Sequence, residues 1–133
     1  MKVVGIILLF LLILPSSLLA DVDGEIGHLL EFVRTSDVVF IRNGQEYKSA
    51  EAVDHFRKKR EHFVKEIKSA EDFIAVAATK SLVSGQAYQV KTRDGQVQDC
   101  SKWLTEELKR FRNEKKSVTN NVSDATGTTV TGR

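Results

Sequence analysis

The amino-acid sequence predicts a small single α+β domain, in which two short antiparallel β-hairpins pack with about four helices. Three observations lead to this fold class. Apolar residues recur at the helical period in several segments, and an Asn-Gly and an Asp-Gly pair each interrupt short strand-like runs. After an apolar leader, about 110 residues remain, which is enough for one modest core and too few for two.

The leader has the pattern of a cleaved export signal. A basic start at Lys2 precedes an uninterrupted apolar run at residues 3–14, and Pro15 ends that run. Ala20, with an aliphatic residue two places earlier, suits signal peptidase, so residues 1–20 are predicted as a signal peptide cleaved after Ala20. A retained anchor is the alternative, but the run is shorter than the roughly 20 residues that span a bilayer. We therefore expect export, with no stable membrane span after cleavage.

The first half of the domain is predicted to form a helix, a hairpin and a second helix. The first helix covers residues 24–35, and its apolar face has the i, i+3, i+4, i+7 spacing: Ile26, Leu29, Leu30 and Val33. A strand at residues 38–41 leads to the hairpin turn Asn43-Gly44, and residues 45–48 return. Ser49 is a good N-cap for a long helix that should reach Ile67, with an apolar arc formed by Ala52, Val53, Phe56, Phe63, Val64 and Ile67.

The second half is predicted to repeat this order. Residues 69–72, Ser-Ala-Glu-Asp, are close to a capping box and start a helix that buries Phe73, Ile74, Ala77 and Ala78. Two strands, at residues 87–91 and 96–98, flank the turn Asp94-Gly95. The last helix starts at about Ser101 and buries Trp103, Leu104, Leu108 and Phe111. The single domain is predicted at residues 21–116, and residues 117–133, rich in Thr, Ser, Asn and Gly, are predicted to be a disordered tail.

Charge and cysteine content exclude some classes of function. The chain has 20 basic and 18 acidic residues, and loss of Lys2 with the signal leaves a nearly neutral protein. Nucleic-acid binders usually carry a strong basic excess, so no nucleic-acid partner is expected. Cys100 is the only cysteine and cannot form an internal disulfide. It is most simply a buried core residue. An intermolecular disulfide that links a homodimer and a redox nucleophile are the alternatives.

Two candidate binding residues stand together at the first hairpin turn. Arg42 and Asn43 place a cation and an amide at a tip that is expected to be exposed, where an anionic ligand or a partner protein could dock. The tight turn explains Asn43, but it does not explain Arg42.

Three more candidates lie elsewhere in the domain. His55 is one helical turn from both Glu51 and Lys59, a spacing that suits an acid–base group tuned by a carboxylate and also suits a histidine at the edge of the core. Arg60 falls within the apolar arc of its helix, so its side chain should extend along that arc to solvent or pair with a buried acid. Tyr88 is most simply a core residue of the second half.

Motifs for catalysis, metals and cofactors are missing from the sequence. It contains no HExxH, paired CxxC, GxSxG, P-loop or GxGxxG pattern. No catalytic residue, metal ligand or cofactor is therefore assigned.

Several stretches together resemble a known family. They are Phe40-Ile41-Arg42-Asn43-Gly44, then Glu51-Ala52 with His55-Phe56-Arg57 and Lys59, then Ser69-Ala70-Glu71-Asp72-Phe73-Ile74, and finally Ser84-Gly85, Tyr88, Val90 and Trp103-Leu104. In order and spacing they are similar to the YfeK-like family of small exported bacterial proteins, a domain of unknown function. The resemblance covers about residues 38–108 and implies a Gram-negative periplasmic protein. It implies no activity and no role for any residue.

The sequence therefore favours a non-enzymatic binding or protein-interaction module of the periplasm. Its partner is expected to be a periplasmic protein or a small anionic ligand. A small envelope-associated hydrolase that uses His55 is one alternative. A dimeric structural protein linked through Cys100 is the other.

Overall fold

The computed structural model describes residues 17–125, with side chains from Asp21 onward. The elements in chain order are α1 Ser17–Thr35, β1 Val39–Arg42, β2 Gln45–Tyr47, α2 Ser49–His62, α3 Ala70–Ala77, β3 Gln89–Lys91, β4 Val97–Asp99 and α4 Cys100–Ala125. This confirms the predicted α+β domain with its two hairpins. Most of the predicted signal peptide, residues 1–16, lies outside the described residues, and cleavage after Ala20 stays a prediction.

The two hairpins join into one four-stranded antiparallel sheet in the order β2-β1-β3-β4. The pairing between β1 and β3 makes this connection, with Phe40 opposite Val90 and Ile41 opposite Gln89. The sequence predicted each hairpin but not their union. Continuing this register by one residue places Arg42 across from Tyr88.

The two hairpin turns differ in type. Asn43 and Gly44 both have positive φ angles, 51° and 74°, as the two-residue type I′ turn requires. In the second hairpin only Gly95 has a positive φ, 85°, and its N–H donates to the carbonyl of Thr92. That pattern belongs to a three-residue loop in which glycine takes the left-handed position after a type I turn.

One core lies between the helices and one face of the sheet. Phe40 of β1 is at its centre, with ring centroids 6.0 Å from Phe56 of α2 and 5.8 Å from Trp103 of α4. Most of the residues predicted to be buried on the helix faces lie in this core, including Ile26, Leu29, Val53, Phe73, Ile74, Leu104 and Leu108. Trp103 and Phe111, also predicted to be buried, are only partly so. Burial of these faces fixes α2 against β1.

The helix α2 ends at His62, five residues before the predicted end at Ile67. Phe63 leaves the helical conformation with φ −104° and ψ 24°, and the N–H of Ile67 bonds back to the carbonyl of Phe63. The chain turns here toward α3, which Ser69 caps by accepting a hydrogen bond from the N–H of Asp72 at 3.0 Å. The prediction that Val64 belongs to the buried arc was wrong, because its side chain is 63% exposed in this turn.

The first turn of α2 is also built differently from the prediction. The N-cap residue is Lys48 rather than Ser49, and the N–H of Lys48 donates to the Glu51 carboxylate at 2.9 Å. The hydroxyl of Ser49 instead donates to the carbonyl of Ser36 at 2.8 Å. That bond ties the start of α2 to the end of α1.

The helix α4 continues to Ala125, through nine residues that the composition predicted to be disordered. The hydroxyl groups of Ser117, Thr119 and Ser123 each donate to the carbonyl four residues earlier. Extending a helix that has already formed costs much less than starting one. The change of composition at residue 117 therefore marks the end of burial and not the end of the helix. Residues 126–133 lie outside the described residues.

Two buried carboxylates hold α4 to the rest of the domain. Glu25 of α1 accepts two hydrogen bonds from Arg112, at 2.7 and 2.8 Å. Glu107 of α4 accepts from Arg110 and lies 2.6 Å from Nε2 of His28. Burial alone would raise the pKa of Glu107, but the hydrogen bonds from Arg110 and His28, together with the charge of Arg110, lower it overall.

Within residues 17–125, no helix has both the length and the apolar content needed to cross a membrane.

Candidate functional site

Three of the predicted binding residues, Arg42, His55 and Tyr88, meet in the structure. Arg42 ends β1, Tyr88 immediately precedes β3, and the β1–β3 register places them side by side. His55 reaches them from α2, because Phe56 and its neighbours bury the adjacent face of that helix. Nη1 of Arg42 lies 2.8 Å from Nδ1 of His55, and Nε2 of His55 lies 3.1 Å from the Tyr88 hydroxyl.

The three side chains border a cavity of about 340 Å³ between α2 and the sheet. Its floor is buried and mostly aromatic: Phe40, Ala52, Phe56 and Tyr88. Its walls are half-buried: Ile41, Arg42, Tyr47 and His55. Its rim is exposed and comes from α2 alone: Glu51, Asp54 and Lys58. This volume is in the range of small-molecule sites, about 300–1,000 Å³.

The contacts of His55 define its protonation. A guanidinium can only donate hydrogen bonds, so the Nδ1 atom that faces Arg42 must be an unprotonated acceptor. The ring hydrogen then lies on Nε2 and is donated to the Tyr88 oxygen. Burial, and then the charges of Arg42, Lys59 and Lys58, together lower the pKa of His55 from 6.5 to about 4. His55 is therefore neutral at neutral pH.

Tyr88 keeps a hydroxyl proton that it can donate. Its oxygen accepts from His55, and its own O–H has no acceptor among the described residues. The pKa of Tyr88 is raised by burial, against the opposing effect of Arg42. Tyr88 is therefore a neutral donor on the floor of the cavity.

Two cationic side chains at the site carry nitrogens that have no hydrogen-bond partner. The Nε atom of Arg42 and the Nζ atom of Lys59 are buried and unbonded within the described part of the chain. The other end of the Arg42 guanidinium contacts Tyr47, with its carbon 4.9 Å from the ring centroid. No described carboxylate forms an ion pair with Arg42 or Lys59.

The side chain of Lys59 lies behind the wall of the cavity. It does not line the cavity, and its Nζ lies 5.5 Å from the centroid of the Tyr88 ring. The pKa of Lys59 is lowered, first by burial and then by the charge of Arg42. The inner part of the site thus has two cations without a described carboxylate at ion-pair distance, and an anion would complement them.

Two predicted binding residues lie outside this cavity. Asn43 accepts a hydrogen bond from the Ser84 hydroxyl, which fastens the hairpin turn to the neighbouring loop. Arg60 pairs with Asp23 of α1 at 2.5 Å, over a separate hollow between α1 and the end of α2. The prediction that Arg42 stands at an exposed tip was wrong, because the side chain is half-buried under α2.

The roles of Tyr47 and Lys59 in this site were not predicted from the sequence. Lys59 carried a usable signal, since it lies one helical turn from His55 on the same side of α2. Tyr47 carried none beyond its place in β2, because its contact with Arg42 depends on the hairpin pairing.

The described residues offer neither a cluster of metal ligands nor an exposed thiol. The described residues include no group of three or more His, Cys, Asp or Glu that could hold a metal ion. Cys100 is fully buried, and burial raises its thiol pKa to about 12. A disulfide to a second copy would therefore require the start of α4 to open.

Comparison with known proteins gives a family match and a relative. Residues 20–112 match the family described as "Family of unknown function (DUF5329)". The chain is 33% identical over 90 residues to the "Uncharacterized protein YfeK" of Salmonella typhimurium. The aligned region covers 65% of this chain and 75% of that protein. No solved structure matches. The matched family region contains Arg42, His55 and Tyr88.

Proposed function

This chain belongs to the DUF5329 family, whose function is unknown, and we propose that it is a non-enzymatic periplasmic binding protein that holds a small anionic ligand in the cavity beside Arg42. The similarity to YfeK agrees with the family resemblance found in the sequence and adds no activity. The proposal therefore depends on the cavity itself. Its volume of about 340 Å³ favours a small ligand over a protein surface.

One observation carries the proposal: the Arg42 guanidinium lines the cavity without a carboxylate partner among the described residues, and its Nε is a buried donor without an acceptor. A buried donor that loses its partner costs about 1–3 kcal/mol, and more when it is charged. An anion in the cavity would pair with the guanidinium, which lines it. Nε is out of reach of solvent in this conformation, so the ligand would relieve its cost by turning that N–H toward the cavity. The Tyr88 hydroxyl can donate to the same anion, since its proton has no other described acceptor.

The contacts of His55 favour binding over hydrolysis. A general base needs a free lone pair and a pKa near the working pH. The only lone pair of neutral His55 accepts from Arg42, and the pKa of the ring is about 4. His55 instead positions Arg42 and Tyr88, since it holds one on each ring nitrogen.

The periplasmic part of the proposal is supported by the leader, with its basic start, its apolar run and the small residue Ala20. Cleavage after Ala20 would keep the buried face of α1, which begins at Glu25 and Ile26. Mass spectrometry of the protein from a periplasmic fraction should find Asp21 as its first residue. An intact Met1 in the membrane fraction would contradict export by cleavage.

Calorimetric titration with a series of carboxylates tests the binding site. We use acetate, hexanoate and 3-phenylpropanoate with the full chain, the Arg42→Ala variant and an Arg93→Ala control. Arg93 lies in the other hairpin loop and pairs with Asp37, and neither residue lines the cavity. The wild type and the control should bind at least one of these anions, and Arg42→Ala should bind it at least tenfold more weakly. Equal binding by Arg42→Ala, or no binding of any probe to the wild type, would refute the proposal.

A further inference from the structure

The charged side chains around the cavity differ between its inner part and its rim. The inner part has the Arg42 guanidinium in the wall and Lys59 behind it. The rim has two carboxylates, Glu51 and Asp54, against the single ammonium of Lys58. The site is therefore positive inside and negative at its mouth.

The rim carboxylates follow from the helical spacing of α2. Glu51, Asp54 and Lys58 are separated by three and four residues, so they lie on one side of the helix. One oxygen of the Glu51 carboxylate is already used at the start of the helix, where it accepts a hydrogen bond from the N–H of Lys48. The carboxylate of Asp54 has no hydrogen bond or ion pair with any described residue, so Asp54 can receive a cation from outside.

Between these two charged zones the cavity is apolar. The rings of Phe40 and Phe56 form its floor, and Ile41 forms part of its wall. A cavity of about 340 Å³ has room for roughly ten water-sized groups. A bare phosphate or sulfate would leave most of this apolar surface in contact with water, whereas an aliphatic or aromatic body would cover it.

We infer that the ligand is a small zwitterion with an apolar body. Its carboxylate lies toward Arg42 and Tyr88, its apolar part covers the aromatic floor, and its ammonium group lies at the rim beside Asp54. This inference rests on the proposed function, because it requires that the cavity be a ligand site. It adds that a cationic group on the ligand raises the affinity.

Three six-carbon probes separate the contribution of the ammonium group from that of the carboxylate. Hexanoate has only the carboxylate, L-norleucine adds an ammonium next to it, and 6-aminohexanoate adds one at the far end. 3-Phenylpropanoate and L-phenylalanine form the same comparison with an aromatic body. We measure their affinities by calorimetry for the full chain, Asp54→Asn and the control Asp99→Asn, an exposed aspartate in β4 outside the cavity.

At least one amino-containing probe should bind the wild type and the Asp99→Asn control at least fivefold more tightly than its plain acid. In Asp54→Asn this preference should disappear, and the affinity for hexanoate should stay the same or increase. A plain acid that binds as tightly as its amino partners would overturn the inference and leave the anion site standing. A preference that survives in Asp54→Asn would overturn it too. If none of the five probes binds, the proposed function and this inference fail together.

Discussion

Mild acid should destabilise this fold through His55. The ring has a pKa of about 4 in the folded protein and 6.5 as its ordinary value, which applies to the unfolded chain. Between these values the unfolded state binds a proton that the folded state does not. Stability is therefore full above about pH 6.5 and decreases as the pH falls toward 4.

The size of this effect follows from the same two values. At about 1.4 kcal/mol per pKa unit, their difference sets an upper limit of about 3 kcal/mol. His55 is half-buried, and solvent screening reduces the expected loss to about 1–2 kcal/mol over the whole interval. We expect about 1 kcal/mol of it between pH 6.5 and 5, before most carboxylates titrate.

Urea unfolding followed by the fluorescence of Trp103 measures this slope. The wild type should lose stability between pH 6.5 and 5, and His55→Gln should lose about 1 kcal/mol less over the same interval. His62→Gln removes an exposed histidine from the end of α2 and should keep the wild-type slope. Identical slopes for His55→Gln and the wild type would refute the reasoning about His55.

Three further experiments test other parts of the structure. Arg112→Met leaves the buried carboxylate of Glu25 unpaired and should lower the free energy of unfolding in urea by about 2 kcal/mol. Lys115→Met removes an exposed ion pair and should lower it by less than about 1 kcal/mol. Equal losses would contradict the role of the buried pair. Tyr88→Phe leaves a ring N–H without its acceptor and removes a donor, so stability should fall by about 1 kcal/mol and hexanoate affinity about fivefold; unchanged calorimetry would remove Tyr88 from the site. The thiol of Cys100 should react with a disulfide reagent only in urea, and non-reducing electrophoresis should show a monomer; rapid labelling without urea would contradict its burial.

Local sequence patterns were sufficient for most of the fold. Asn43-Gly44 and Asp94-Gly95 located both hairpins, because few residue pairs adopt the required turn conformations at low cost. Helical periodicity located the buried faces of the helices. It did not locate the end of α2, because an apolar residue such as Val64 continues the pattern even where the chain has left the helix.

The site itself was only partly predictable, since it depends on contacts between distant segments. Arg42 and His55 were identified as unusual residues, but their meeting with Tyr88 requires the pairing of β1 with β3, about fifty residues apart in sequence. No local pattern specifies that pairing or its register. For the same reason Arg42 was predicted at an exposed tip, although α2 packs over it and supplies His55.

The central claim is that the Arg42 guanidinium binds the anionic group of a ligand in the cavity. The most direct measurement is the NMR signal of the Arg42 Nε–H group, assigned by its loss in Arg42→Lys, during titration with the probe that binds most tightly. The account predicts that this proton moves downfield and saturates at the same ligand concentration as the calorimetric binding curve. An Arg42 signal that stays in place while the protein becomes saturated would contradict it.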